Sequence, residues 1–138
     1  MSDTATVTAA PAEAAAKPAE TGKQTYTGSC HCGAVRYEAE AEISGVVACN
    51  CSFCQKKGTL LAFTDEEDFR LTEGADRIAE YRFNKHVIGH VFCTTCGVEP
   101  FARGMRPDGV HMVALNVRCL DGVEPDSFPV RHFDGRSR

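Results

Sequence analysis

The sequence contains no tryptophan, and none of its uncharged apolar stretches approaches the roughly 18–20 residues that a membrane-spanning helix needs. We therefore expect no transmembrane segment and no membrane partner. An excess of basic residues is also missing, because 15 lysines and arginines stand against 19 acidic residues, for a formal net charge of -4. This balance argues against a nucleic-acid partner, since such proteins neutralise many phosphates.

The first 24 residues lack any aromatic side chain and contain a single valine among alanine, proline and glutamate. Such a segment buries too little apolar surface to offset its ordering entropy, so we expect residues 1–24 to be a disordered tail. A short helix around residues 12–17 is the alternative. The segment has neither the basic start nor the apolar run of a secretory signal. We expect a cytoplasmic protein whose one domain spans residues 25–138.

The sequence of this domain predicts strands rather than helices. Residues 35–42 (VRYEAEAE) alternate apolar and charged side chains, which is typical of a half-exposed strand. Further strands are predicted at residues 46–48, 59–64, 69–72, 78–83, 87–92 and 110–117, and an edge strand at 128–133. Short helical turns are predicted at residues 52–57 and 72–78. The architecture we expect is mostly antiparallel β, built from small sheets that are joined near metal-binding knuckles.

Eight cysteines are the unusual feature. They make up about 6% of the chain, below the roughly 8–10% that is typical of a disulfide scaffold. In the reducing cytosol, clustered cysteines more often bind metal or perform chemistry. Seven of them form a C-x-C pair, a C-x-C-x-x-C triplet and a C-x-x-C-G knuckle: Cys30 and Cys32; Cys49, Cys51 and Cys54; Cys93 and Cys96.

Seven thiols divide naturally into four and three. A structural zinc takes four ligands, whereas a catalytic zinc keeps three protein ligands and one open position. The two pairs would make the closed site, and the triplet would make the open site. An alternative division joins Cys30 and Cys32 to Cys49 and Cys51, which leaves Cys54, Cys93 and Cys96 as the three-ligand set.

The triplet could also be structural, with a histidine such as His31 or His86 completing a second closed site. His86 and His90 are candidates for proton transfer. The eighth cysteine, Cys119, stands apart at the end of a predicted strand, where a buried inert thiol is the ordinary interpretation.

At these residues the sequence resembles the glutathione-dependent formaldehyde-activating enzyme family, which includes the centromere protein V domain. The matching segments are residues 28–35 (GSCHCGAV), 49–54 (CNCSFC) and 90–97 (HVFCTTCG), with a weaker match at 116–121 (NVRCLD). The resemblance covers nearly the whole domain. Three cysteine motifs in order, at suitable intervals, are more specific than any one of them alone.

The resemblance implies an Mss4-like β fold with two zinc ions per chain, and the closed site formed by the first and last motifs. It implies a carbon–sulfur lyase that joins glutathione and formaldehyde into S-hydroxymethylglutathione, or cleaves such an adduct. Phe53, Lys56 and Lys57 are the candidate substrate-binding residues. Gln55 departs from the arginine that often follows the triplet in relatives.

Two other classes compete with this interpretation. A zinc-stapled binding module without chemistry is the first, because the Mss4-like fold also occurs in proteins that bind small GTPases. The second is a B-type methionine sulfoxide reductase, in which Cys119 would be the nucleophile. Leu120 stands where such enzymes have asparagine, and the first motif is C-x-C instead of C-x-x-C.

Overall fold

The computed structural model describes residues 23–82 and 88–136. Within them the chain forms ten strands, one α-helix and three 3-10 turns. The strands are β1 (Gln24–Ser29), β2 (Arg36–Ala41), β3 (Val46–Cys49), β4 (Leu61–Asp65), β5 (Phe69–Glu73), β6 (Ile78–Tyr81), β7 (Gly89–Cys93), β8 (Phe101–Met105), β9 (His111–Asn116) and β10 (Val130–Phe133). The helix is α1 (Ser52–Lys57), and the 3-10 turns are Glu66–Asp68, Val117–Cys119 and Pro125–Ser127.

Two sheets make up the fold. A three-stranded sheet has the order β1-β2-β5, and a seven-stranded sheet has the order β10-β3-β4-β9-β8-β7-β6. Among the described strands every pairing is antiparallel except that of β10 with β3, which is parallel. The protein is mostly β with cysteine clusters at its strand ends, as in the Mss4-like fold.

The core lies between the two sheets and follows from the alternation of side chains along each strand. Strand β2 buries Tyr37, Ala39 and Ala41 and turns the charged residues between them outward. Strand β9 buries Val113 and Leu115 in the same way. Because successive strand residues point to opposite faces, this alternation places one apolar face of each sheet against the other.

Three aromatic rings join the sheets across the core. The ring of Tyr37 lies 5.3 Å from that of Phe69 and 5.8 Å from that of Phe101, between centroids. The Phe69 and Phe101 rings are 4.7 Å apart. A side chain at Gly28 would lie 2.5 Å from Tyr37 Cζ, so only glycine lets strand β1 pass over this ring. The aromatic cluster thereby fixes the end of β1, from which the first cysteines follow.

The structure confirms the mostly antiparallel β architecture and the helical turn at residues 52–57. The helical turn predicted at residues 72–78 is wrong, because β5 continues to Glu73 and a turn then leads into β6. The sequence patterns missed two strands, β1 and β8. The facing ends of the strands predicted at residues 78–83 and 87–92 fall within residues 83–87, outside the described residues.

The described part of the chain contains no candidate for a membrane-spanning helix. None of its helices has the length and apolar character that crossing a membrane requires.

Gly74, which follows β5, provides a test of how tightly the chain packs against the start of β2 at one end of the three-stranded sheet. Its φ is +92°, and an added Cβ would overlap with the Ala34 carbonyl oxygen. Gly122 has a φ of +69° with nothing within 4 Å of the same atom. We expect Gly74→Ala to lower the free energy of unfolding by more than about 3 kcal/mol, and Gly122→Ala by about 1–2 kcal/mol. Urea titration at constant zinc concentration measures both, and equal losses would contradict the packing described here.

Candidate metal centre

Four cysteines come together where β1 and β7 end. Cys30 and Cys32 follow β1 directly, and Cys93 is the last residue of β7. The chain then turns back through Cys96 to Gly97, which has a φ of +82°. The Gly97 N–H closes the turn by donating a hydrogen bond of 2.9 Å to the Cys93 carbonyl oxygen. A positive φ costs glycine little, so the knuckle is tight enough to bring both of its sulfurs to one side.

The spacing of these four sulfurs fits a tetrahedral metal site. All four lie within 4.8 Å of one another. The Cys30–Cys32 and Cys32–Cys93 sulfur pairs are each separated by 3.7 Å. Four sulfurs bound to zinc at about 2.3 Å would be about 3.8 Å apart, whereas a disulfide requires about 2.05 Å. The cluster could therefore hold a zinc ion.

Backbone N–H groups point at the sulfurs of this cluster. The Val35 N–H donates to Cys30 Sγ at 3.4 Å, and the Thr95 N–H donates to Cys93 Sγ at 3.3 Å. The N–H groups of Cys96 and Thr95 lower the pKa of Cys93 and so favour its thiolate, which is the form that binds metal. The turns at Gly33 and Gly97 are what aim these N–H groups at sulfur.

Cys96 shows the effect of these donors most clearly. Burial disfavours its thiolate, but the N–H groups of Val98 and Cys32 act in the opposite direction, and the pKa of Cys96 falls to about 6. A thiol that ionises this readily is a ready metal ligand near neutral pH.

The remaining three cysteines of the motifs form a second cluster around the start of α1. Cys49 ends β3, Cys51 is the N-cap residue of α1, and Cys54 lies in its first turn. The Cys51 N–H donates to Cys49 Sγ at 3.4 Å, and the Cys54 N–H donates to Cys51 Sγ at 3.3 Å. A cysteine in the N-cap position thus does what serine or aspartate usually does there, and the helix holds its sulfur in place.

Three sulfurs lie within 4.8 Å of one another in this second cluster. Burial raises the pKa of Cys54 and of Cys49. For Cys51 burial acts in the same direction, but the Cys54 N–H and other donors outweigh it and lower the pKa. Within residues 23–82 and 88–136, no histidine, cysteine or carboxylate joins these three at the same spacing. The cluster could hold a metal ion and leave a position for a further ligand.

The sulfurs are therefore grouped as four and three, with the two pairs in one cluster and the triplet in the other. The alternative division, in which Cys30 and Cys32 join Cys49 and Cys51, does not occur. His31 is exposed and belongs to neither group. His86, the other histidine considered as a fourth ligand of the triplet, lies outside the described residues.

Helix α1 connects the two clusters. Lys57 Nζ donates to the Gly97 carbonyl oxygen at 3.0 Å, so the end of the helix is attached to the knuckle of the four-cysteine cluster. Phe53 lies in an aromatic stack, with its ring 5.2 Å from that of Tyr81 and 4.2 Å from that of His90. Lys56 is exposed. Of the three predicted substrate-binding residues, Phe53 and Lys57 thus also make structural contacts.

A buried histidine–glutamate pair lies against Phe53. His90 and Glu99 are 5% and 4% exposed, and His90 Nδ1 is 3.2 Å from Glu99 Oε2. The Glu99 carbonyl oxygen also accepts a hydrogen bond from Asn116 Nδ2 at 2.9 Å. Among the described residues, Glu99 Oε1 is buried without a hydrogen-bond partner. Buried ionisable pairs of this kind are often functional.

Sequence reasoning pointed to His90 but missed Glu99. Nine residues separate the two in the chain, and the turn through the knuckle brings them together. A glutamate placed directly before Pro100, beside a run of apolar residues, was the only available signal.

Cys119 takes no part in either cluster. Its thiol donates to the Glu99 carbonyl oxygen at 3.7 Å, and the residue is half-buried. Burial, reinforced by the charges of Cys30 and Cys96, raises the pKa of Cys119 to about 12. A thiol that stays protonated is a poor nucleophile, which argues against the reductase interpretation.

Sheets with a four-sulfur and a three-sulfur cluster define a β protein that could hold two metal ions. The sequence matches the family described as "Glutathione-dependent formaldehyde-activating enzyme" over residues 25–133. The chain belongs to this family. It is also similar to the crystal structure of a Rhodobacter sphaeroides protein that was a structural genomics target, with a TM-score of 0.68 and 33% sequence identity. That similarity covers 76% of this chain and 99% of the other.

The raised pKa of Cys119 predicts slow alkylation. A pKa near 12 instead of 9.0 leaves about a thousandfold less thiolate at pH 8, so iodoacetamide should modify Cys119 about a thousandfold more slowly than a free thiol. Peptide mass mapping over time measures the rate, and protein unfolded in guanidinium with chelator provides the reference. Rapid labelling of Cys119 in the folded protein would contradict the environment described here.

Proposed function

We propose that this protein is a zinc-dependent enzyme that forms or cleaves a carbon–sulfur bond between a glutathione-like thiol and a small aldehyde. Formaldehyde is the aldehyde that the family description suggests. The observation that carries the proposal is the three-sulfur cluster, which no further histidine, cysteine or carboxylate completes among the described residues, in a chain that also has a four-sulfur cluster. The reaction class is that of an S-(hydroxymethyl)glutathione synthase, a carbon–sulfur lyase.

Two zinc ions would have different tasks. Cys30, Cys32, Cys93 and Cys96 would hold a structural ion, because four thiolates close a tetrahedron. Cys49, Cys51 and Cys54 would hold the second ion and leave one position open. When bound there, zinc supplies a Lewis acid that favours a thiolate or polarises a carbonyl oxygen. Such cysteines must stay reduced, which fits the cytoplasmic location that we expect.

The proposed reaction is balanced without a redox partner. The sulfur of the thiol bonds to the aldehyde carbon, and the carbon–oxygen double bond becomes a single bond. The thiol proton leaves sulfur, and the former carbonyl oxygen gains a proton. The residues of the site therefore need to orient two molecules and move one proton, and the reverse reaction uses the same groups.

His90 is the proposed proton carrier. It is the buried histidine among those that the structure describes, and its ring contacts Phe53, which lies between Cys51 and Cys54. With Glu99 accepting the Nδ1 proton, His90 would take up and return the substrate proton at Nε2. Glu99 would keep the ring in this tautomer.

Phe53, Lys56 and Lys57 are the proposed substrate-binding residues. Phe53 offers an apolar wall next to the three-sulfur cluster. Lys56 is exposed on the same helix and could pair with a substrate carboxylate. Lys57 would contribute charge while its ammonium group donates to the Gly97 carbonyl oxygen.

The two zinc sites should respond differently to mutation. We expect wild type to bind about two zinc ions per chain and Cys54→Ser about one, with the fold retained, because a site on one loop supports less of the structure. Cys96→Ser should unfold, since it opens the site between β1 and β7. Elemental analysis and circular dichroism under reducing conditions measure both effects.

Cys119→Ser is the matched control, because it also removes a cysteine but should keep both ions. A mild chelator should strip the first zinc ion while the fold survives. Loss of structure with the first equivalent removed would show that the three-sulfur cluster is structural.

Turnover should depend on the three-sulfur cluster. We expect wild type to accelerate exchange between glutathione and its formaldehyde adduct, and Cys54→Ser to return the rate to that of the uncatalysed reaction. Exchange spectroscopy by NMR measures both rates in the same sample. A zinc-loaded wild type with no acceleration for any thiol and aldehyde would favour the binding module without chemistry.

The same assay tests the role of His90. His90→Gln should lower kcat about a hundredfold or more while zinc content stays at the wild-type value, because general acid–base catalysis typically contributes 10²–10⁴-fold. An unchanged kcat would remove His90 from the mechanism.

A further inference from the structure

The C-terminal segment after β10 lies directly on the three-sulfur cluster. Strand β10 pairs in parallel with β3, so that Phe133 is opposite Cys49, and the Asn50 N–H donates to the Phe133 carbonyl oxygen at 3.1 Å. At Gly135 an added Cβ would lie 2.6 Å from Cys49 Sγ and 3.3 Å from Cys51 Cβ. The chain thus passes in contact with the cluster, and glycine is what allows this approach.

The next residue, Arg136, is fixed to the loop that carries the three sulfurs. Its backbone N–H donates to Asn50 Oδ1 at 2.9 Å, and its side-chain Nε donates to the Asn50 carbonyl oxygen at 3.2 Å. A terminal nitrogen of the guanidinium donates to Gln55 Oε1. Asn50 lies between two of the cysteines and Gln55 follows the third, so the guanidinium is held beside the cluster from both ends of the loop.

All of these acceptors are neutral. In the part of the chain that the structure describes, no carboxylate forms an ion pair with Arg136, and the residue is exposed. A guanidinium has five N–H donors, of which these contacts use two. The remaining donors have no hydrogen-bond partner among the described residues, so they and the positive charge are available to a ligand.

A guanidinium presented in this way suits a carboxylate. Its planar arrangement of donors matches a carboxylate with two parallel hydrogen bonds, which a lysine ammonium does not reproduce. Because Asn50 and Gln55 already hold the side chain, binding costs little additional side-chain entropy.

We propose that Arg136 binds a carboxylate of the thiol substrate and selects thiols that carry one. This inference rests on the proposed function and deepens it, since it names the substrate class of the three-sulfur site. Arg136 would then determine which thiols bind, and Gln55 would hold its guanidinium in place. Gln55 itself, which has no charge, would contact the substrate only through this arginine.

Glutathione and its diethyl ester are the matched probes, because they share a thiol and differ in their carboxylates. Calorimetry of the zinc-loaded protein should show that Arg136→Gln weakens glutathione binding about five- to tenfold. Binding of the diethyl ester should change less than about twofold, because neutral groups gain little from the guanidinium. Arg136→Lys should recover only part of the loss, since lysine cannot form the paired hydrogen bonds.

Arg131→Gln is the control, because Arg131 is exposed on β10, a few residues before Arg136, and among the described residues no hydrogen bond or ion pair joins its side chain to the cluster. Zinc content is measured for every variant. An equal loss for glutathione and its ester, a zinc deficit in Arg136→Gln, or the same effect in Arg131→Gln would each overturn the inference and make Arg136 a structural residue.

The inference and the proposed function fail in different ways. If wild type binds glutathione better than the ester but accelerates no reaction, the proposed enzyme activity fails while the carboxylate site remains. If wild type binds both probes equally, the carboxylate site fails whatever the turnover.

Discussion

The rest of the structure depends on the joining of the two sheets by the four-sulfur cluster. Cys30 and Cys32 follow β1 of the three-stranded sheet, whereas Cys93 ends β7 of the seven-stranded sheet. A metal ion held by four thiolates contributes on the order of 10 kcal/mol, which is comparable with the whole stability of a small domain. The junction lies at the end of β1, which passes over the Tyr37 ring of the aromatic core.

The three-sulfur cluster is held in place indirectly, through contacts that helix α1 makes with other parts of the fold. Its helix, α1, is only one and a half turns long and could not persist in water by itself. Lys57 attaches the helix to the knuckle at Gly97, and Phe53 packs it against the outer face of β6 and β7. The segment after β10 covers it from the other side. With this support, the cluster would keep its arrangement without a metal ion of its own, as the proposed labile second site requires.

Sequence patterns were enough to predict the features that depend on residues close together in the chain. The alternation at residues 35–42 predicted β2, and the cysteine spacing left two divisions of the seven sulfurs open, of which the structure shows the one that groups the two pairs together. Strand β8 was missed because Phe101–Met105 has no alternation and takes its conformation from β7 and β9 on either side. The parallel pairing of β10 with β3 joins segments more than 80 residues apart, as does the contact of Arg136 with Asn50. No pattern within either segment encodes such a pairing.

The pair of His90 and Glu99 is difficult to explain by stability alone. Removing two ionisable groups from water costs several kcal/mol each, and their mutual attraction repays this cost only when the other polar atoms are also satisfied. Here Glu99 Oε1 has no hydrogen-bond partner among the described residues. An apolar pair of similar size would stabilise this part of the sheet at least as well. The packing of the fold therefore gives no reason for two ionisable groups beside Phe53, and their burial there supports the role in proton transfer that we propose for His90.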